Sequence, residues 1–144
     1  MRAPLYSHLV YDVVPGEETV VDRPDILVVE GLNVLQPAGN GNRLTVSDLF
    51  DFSVYVDARA SDIAAWYEER FMALQRGAFT NRNSFFNVYA SLTEEEARQK
   101  ARFYWREVNE PNLRENIRPT RARAKLVLRK ASDHTVSQVL LRKV

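Results

Sequence analysis

No cysteine occurs among the 144 residues, which excludes disulfides, thiolate metal sites and a cysteine nucleophile, and fits a reducing compartment. Two histidines are too few for a multi-histidine metal centre. Only five glycines are present, and none opens a G-x-x-x-x-G-K-S/T phosphate loop, a dinucleotide-binding G-x-G-x-x-G or a G-x-S-x-G nucleophile elbow. No apolar run approaches the roughly 20 residues that a membrane-spanning helix needs, and the amino-terminal MRAPLYSHLVYDVV has no signal-peptide core. Charge of one sign is missing too: 20 Lys and Arg against 19 Asp and Glu leave a net +1, without the basic footprint of a nucleic-acid or anionic-membrane binder. The expectation is a cytoplasmic protein with no nucleic-acid, membrane or intrinsic metal partner.

What is present is apolar and aromatic. Hydrophobic residues make up 45% of the chain, with seven Phe, six Tyr and two Trp, enough to build a core. Tyr6 to Val14 is rich in β-formers and stops at Pro15-Gly16, and Thr19 to Val21 can return as a partner strand. Ile26 to Val29 is continuously apolar, the pattern of a parallel strand buried on both faces, and it ends at Glu30-Gly31. Phe52 to Val56, ending at Asp57, is a second such strand, and Pro37 to Arg43 reads as a loop. Ser61 or Asp62 can cap a helix on which Ile63, Trp66, Tyr67, Arg70, Phe71 and Leu74 share a face, closed by Gly77. Thr93-Glu94-Glu95-Glu96 is a capping box, followed at helical spacing by Ala97, Ala101, Tyr104, Trp105 and Val108 as far as Pro111. A helical turn near Asn112 to Ile117 and a hairpin of Ala124 to Lys130 with Thr135 to Arg142 complete the chain. Strands alternating with helices, without repeats or a dividing linker, predict a single α/β domain over residues 1–144.

Several residues could carry chemistry. Glu30 follows an apolar strand, at the sheet edge where α/β proteins bind ligands, and could hold Mg²⁺ or orient a lysine; capping a turn explains it equally well. On an unbroken strand Tyr6 and His8 point to one side, able to hydrogen-bond a small polar ligand, while Tyr11 falls on the other side unless a bulge intervenes. Arg70 places a guanidinium on an apolar helix face, where it either meets an anion or snorkels to the rim. Phe85, Phe86 and Tyr89 either wall a pocket or finish the core, and the basic run Arg118 to Arg123 reads as a solvated connector.

The strings YSHLVYDVVPG, PDILVVEGLNVLQ, VSDLFDFSVYVDA, WYEERF, ENIRPTRARAKLVLRK and the closing Asp133-His134 and LRKV, in that order, resemble the bacterial pantothenate kinase family along nearly the whole chain. The resemblance implies a partial P-loop kinase-type fold, mainly parallel sheet with flanking helices and a C-terminal β-hairpin. It implies transfer of the ATP γ-phosphoryl group, with Mg²⁺, to the hydroxyl of pantothenate, coenzyme A inhibiting from the same cleft, in a homodimer. By motif, Tyr6, His8, Tyr11, Tyr67 and Asn116 would bind pantothenate and Arg70 would contact phosphate. Phe71, Leu74, Phe86 and Tyr89 would line the pantetheine pocket of coenzyme A, His134 would lie against adenine, and Glu30 would sit beside the phosphate loop and Mg²⁺. Leu74, where relatives often carry an aromatic or Met, and Arg118, where ENILPTR is usual, depart from the pattern. In the family the phosphate loop lies upstream of YSHL, so catalysis by these 144 residues alone is not expected. A non-catalytic pantothenate or coenzyme A module completed by a separate amino-terminal half, or a relative of uridine kinase or phosphoribulokinase, are the competing readings.

Overall fold

A computed structural model describes residues 1–39 and 44–143; the end of the expected Pro37–Arg43 loop lies outside them. The chain order is β1 (Arg2–Ser7), β2 (Asp12–Val20), β3 (Val54–Asp57), α1 (Ala60–Arg76), α2 (Glu94–Tyr104), β4 (Leu126–Lys130) and β5 (Val136–Leu141), with short 3-10 and π-helical turns between them. The architecture is α/β, with a mixed sheet closed by the C-terminal strand pair. It divides into two compact units, Met1–Val28 with Glu68–Ala101, and Val29–Tyr67 with the chain from Arg102 onward.

In the first unit β1 and β2 form an antiparallel hairpin, but its turn is not at Pro15-Gly16. The chain reverses at His8 to Tyr11, where Tyr11 adopts a left-handed φ of 57° and the Leu9 amide donates to Ser7 Oγ at 3.2 Å. Pro15 and Gly16 fall instead inside β2, where the register jumps from Pro4↔Glu18 to Tyr6↔Val13. Gly16 has φ 79°, so the Pro-Gly pair makes a bulge rather than a reversal.

The latter parts of α1 and the first part of α2 supply this unit's core. Phe71, Met72 and Gln75 of α1 are buried, as are Phe79 and the small residues Ala97 and Ala101 of α2. Burying a side chain such as Met72 contributes on the order of 1.5–3 kcal/mol. The buried stripe is thus rotated from the expected face: Arg70 is exposed, while Met72 and Gln75 point inward. Gln75 is satisfied because its Nε2 donates to the Leu92 carbonyl at 3.0 Å. Helix α1 begins at Ala60, ahead of both expected caps, the Arg59 carbonyl accepting from the Asp62 and Ile63 amides, so Ser61 and Asp62 occupy the first turn instead of capping it. The capping box of α2 forms as expected: Thr93 Oγ1 accepts from the Glu96 amide, and Glu96 Oε2 accepts from the Thr93 amide at 2.8 Å. Those Thr93 bonds hold the Glu96 carboxyl below its ordinary value, and a hydrogen bond from Arg98 does the same to Glu94.

In the second unit β3 pairs in parallel with β4, Val54↔Leu126 through Asp57↔Arg129, and β4 pairs antiparallel with β5. Leu35, Tyr55, Ala124 and Val127 are its core, with Val34, Phe50 and Ile117 packed against them. Tyr55 is buried while Val54 and Val56 on the other face are exposed, so β3 is covered on one side, not both. Burial raises the Tyr55 phenol pKa, and the Asp57 carboxylate adds to the effect. Asp57 Oδ2 accepts from Arg121 Nε at 3.0 Å and Arg129 NH2 at 3.4 Å, and Arg123 NH2 donates to Ser47 Oγ at 3.0 Å. The basic run Arg118–Arg123 is therefore a 3-10 helix pinned to neighbouring segments rather than a solvated connector.

The expected strand Ile26 to Val29 does not form; Ile26 and Val28 are 82% and 83% exposed. A strand apolar on both faces is stable only between neighbours on both edges, and among the described residues no strand pairs with it. Nor does the helical path end before Pro111, although α2 itself ends at Tyr104. The helical path continues through π-turns at Trp105–Asn109 and Leu113–Ile117 around a turn of α-helix, Glu110–Asn112. Proline removes one helical donor and crowds the preceding turn, and the wider π ladder, in which the Glu110 amide reaches the Trp105 carbonyl, accommodates both. The extra residue per turn shifts the register, which leaves Val108 exposed and half-buries Asn109, Leu113 and Ile117.

Candidate functional site

The first unit brings half of the motif residues, Tyr6, His8, Tyr11, Phe71, Phe86 and Tyr89, into one run of ring contacts. Tyr6, at the end of β1, meets His8 edge-on at 5.3 Å and Tyr11 at 6.1 Å. The left-handed turn does this: on a continuous strand Tyr11 would face away, but with φ positive it swings back beside Tyr6. Partial desolvation raises the Tyr6 phenol pKa, with Tyr11 and Asp12 adding to the effect. Tyr11 then stacks on Phe85 at 5.4 Å and meets Phe86 edge-on at 4.8 Å. The Phe85 amide donates to the Leu9 carbonyl at 2.9 Å, fixing the hairpin turn to this segment.

From Phe86 the contacts continue to Phe79 at 5.2 Å and Tyr89 at 6.2 Å, and both reach Phe71 of α1 at 5.7 Å. One end of this assembly is polar and exposed, and the other is buried and apolar, the pairing that suits a ligand with a polar head and an apolar tail. Phe79, buried at its centre, is absent from the motif-based set. Its sequence signal is weak because it follows Gly77, where the helical periodicity has already ended. Leu74 is half-buried on α1.

The remaining candidates lie in the second unit, apart from Arg70, which is exposed on the first unit's part of α1. Tyr67 meets the Trp105 ring at 6.2 Å. Asn116 sits in the π-turn Leu113–Ile117, its Nδ2 donating to Asn112 Oδ1 at 2.9 Å. His134 occupies the β4–β5 turn with φ 68°, its ring stacked on Trp66 at 4.3 Å. Glu30 is exposed in an irregular stretch, so it does not end a strand here. Among the described residues no group of three His, Cys, Asp or Glu side chains could grip a metal, and no helix is long and apolar enough to cross a membrane.

A cleft of ≈ 320 Å³ in the second unit, lined by Leu35, Asp48, Arg123, Lys125 and Arg142 among others, contains none of these residues. Its cations are engaged internally: Lys125 Nζ donates to the Asp51 carbonyl at 2.6 Å and Arg142 NH1 to the Ala122 carbonyl at 3.1 Å. It is a seam of the unit's own structure.

No family profile matches the sequence. Among curated proteins, the chain is 72% identical over 144 residues to a pantothenate kinase of Leifsonia xyli subsp. xyli, covering all of this chain and 45% of that protein. It is 65% identical to a pantothenate kinase of Clavibacter michiganensis subsp. michiganensis, with the same coverage. Over 148 residues it is 57% identical to one from Streptomyces coelicolor, covering the whole chain and 45% of the relative. The chain thus spans about 45% of the length of these relatives. Identity this high, unbroken from end to end, places the chain in the bacterial pantothenate kinase family as its carboxyl-terminal portion.

Proposed function

We propose that this chain is the acceptor-binding portion of a pantothenate kinase, which converts ATP and pantothenate to ADP and 4′-phosphopantothenate, the first step of coenzyme A biosynthesis. The observation that carries the reading is the ring assembly of the first unit, with the Tyr6 and Tyr11 hydroxyls and the His8 imidazole at one end and Phe71, Phe79, Phe86 and Tyr89 behind them. Pantothenate offers hydroxyls, an amide and a carboxylate to the polar end. The apolar end suits the pantetheine arm of coenzyme A, which then competes as a feedback inhibitor. By motif, Tyr67 and Asn116 of the second unit are also proposed to contact pantothenate, Leu74 to line the pantetheine pocket, Arg70 to contact the transferring phosphoryl group and His134 to meet the nucleotide base.

Phosphoryl transfer needs a cradle of backbone amides and a cation for the developing charge, and no phosphate-loop motif occurs in these 144 residues. The relatives' extra length is the proposed source of both. Glu30 is exposed, and among the described residues no cluster of three His, Cys, Asp or Glu side chains includes it. The whole enzyme is proposed to be a homodimer.

A second reading, a non-catalytic module completed by a separate amino-terminal half, is favoured by β3, an edge strand of its sheet with Val54 and Val56 exposed. One experiment tests both. The chain is incubated with ATP, Mg²⁺ and pantothenate, alone and co-expressed with the portion of the Leifsonia xyli relative it does not span. Pantothenate binding alone, with phosphopantothenate appearing only in the complemented sample, is expected. Turnover by the chain alone overturns the partition of roles, and absence of pantothenate binding overturns the acceptor reading.

A further inference from the structure

The β4–β5 turn is more constrained than a five-residue connection requires. The Ala131 amide donates to the Thr135 carbonyl at 2.9 Å and the His134 amide to the Ala131 carbonyl at 3.0 Å. Asp133 Oδ1 accepts from both the amide and the hydroxyl of Thr135, at 3.0 and 2.7 Å. His134 is held there at φ 68°, a conformation that L-residues adopt only at a cost. Trp66 of α1 grips this turn twice: its Nε1 donates to the Ser132 carbonyl at 2.9 Å, and its ring stacks on the imidazole at 4.3 Å with 25° between planes. Lys130 closes the group, its Nζ lying 4.9 Å from the Trp66 ring centroid and 3.1 Å from His134 Nδ1. Lysine has donors only, so Nδ1 accepts and Nε2 carries the imidazole proton.

We infer that Trp66 is a positioning residue for His134: by occupying one face of the imidazole and anchoring the turn through Ser132, it fixes which face and which edge a bound base can meet. The inference rests on the proposed contact of His134 with the nucleotide base. One imidazole face is taken by indole and Nδ1 by Lys130, which leaves the opposite face for stacking and Nε2–H as a donor. Trp66 is also the residue before Tyr67 on α1, so the contact links the nucleotide-side turn to the helix that carries a proposed acceptor-binding group.

The test is ATP binding to the 144-residue chain, read together with the His134 ring-proton resonances, for the wild type and the Trp66→Leu, Trp66→Phe, His134→Ala and doubly substituted chains. The indole ring current is expected to displace the His134 resonances, a displacement lost in Trp66→Leu and partly kept in Trp66→Phe. Trp66→Leu is expected to weaken ATP binding by about threefold to tenfold, the effect of losing a stacked aromatic contact. Trp66→Phe recovers most of it, and the double variant binds no more weakly than His134→Ala. Where His134→Ala weakens ATP binding and Trp66→Leu does not, or the two effects add, the positioning role is overturned and the nucleotide reading stands. Where His134→Ala binds ATP unchanged, or ATP does not bind even to the chain complemented by the portion of the Leifsonia xyli relative it does not span, the nucleotide reading falls and this inference with it. A folded Trp66→Leu chain is not essential: in a Trp105→Phe background the emission of Trp66 reports the stack. ATP binding that alters this emission supports the inference, and binding that leaves it unchanged overturns it.

Discussion

The two units reach their folds by different means. The first is held by side chains: rings in contact from Tyr6 to Phe71, two alanines of α2 with no exposed surface, and a hairpin whose turn is fastened through Leu9 and Phe85. The second is held by backbone pairing, a parallel and an antiparallel ladder over a small core, with arginines fastening the flanking 3-10 turn to strand and loop carboxylates. Ring assemblies are specified by shape and tolerate poor local propensity, whereas ladders are specified by pattern and tolerate change on the exposed face. The contrast predicts that damage to the first unit travels through packing and reaches the rings proposed to bind pantothenate, while damage to the second stays in the sheet.

The sharpest way to break the contrast is Phe79→Ala. Removing the buried ring that touches Phe71, Phe86 and Tyr89 is expected to cost about 3–5 kcal/mol in urea unfolding, and to abolish pantothenate binding with it. Retention of both would show that the rings are not a cooperative assembly. Asp57→Ala is expected to cost less, about 1–3 kcal/mol, because Arg121 and Arg129 lose a largely shielded acceptor but remain partly exposed themselves. Pantothenate binding is expected to survive this change, and its loss would erase the distinction between the units. The smallest effect concerns the start of α2. Glu94 and Glu96 have folded pKa values below their unfolded ones, so their contribution is present above the unfolded value and is lost as pH falls through the folded value. Helical circular dichroism from α2 is expected to decline on acidification below the ordinary glutamate range, and Glu96→Gln is expected to flatten that decline.

The difference between the units also explains which parts of the fold were legible. The capping box at Thr93, the closing hairpin and the strand ending at Asp57 depend on local rules, a cap, a turn and a short apolar run, and each was found where the pattern put it. The first hairpin reverses at His8 to Tyr11 rather than at its one sequence turn signal, Pro15-Gly16, because tertiary contacts outweigh local propensity. Pro15-Gly16 has the stronger propensity, but Tyr11 gains ring contacts with Tyr6, Phe85 and Phe86 by turning where it does. Ile26 to Val29 departs from its pattern for the opposite reason: the pattern is that of a strand with two neighbours, and a pattern cannot supply the neighbours.

For the candidate site, family strings named His8, Tyr11, Tyr67, Asn116 and His134, since residue identity survives in a linear motif. Their partners did not follow from it. Phe79 lies beyond the periodic part of α1, and Trp66 reads as one more apolar residue on a helix face until the chain is folded. Its contact with His134 closes a loop of 68 residues, a separation over which propensity and periodicity carry no information. Helices, caps and turns therefore follow from neighbours in the chain, and the packing of rings, the rotation of α1 and the setting of His134 follow only from neighbours in space.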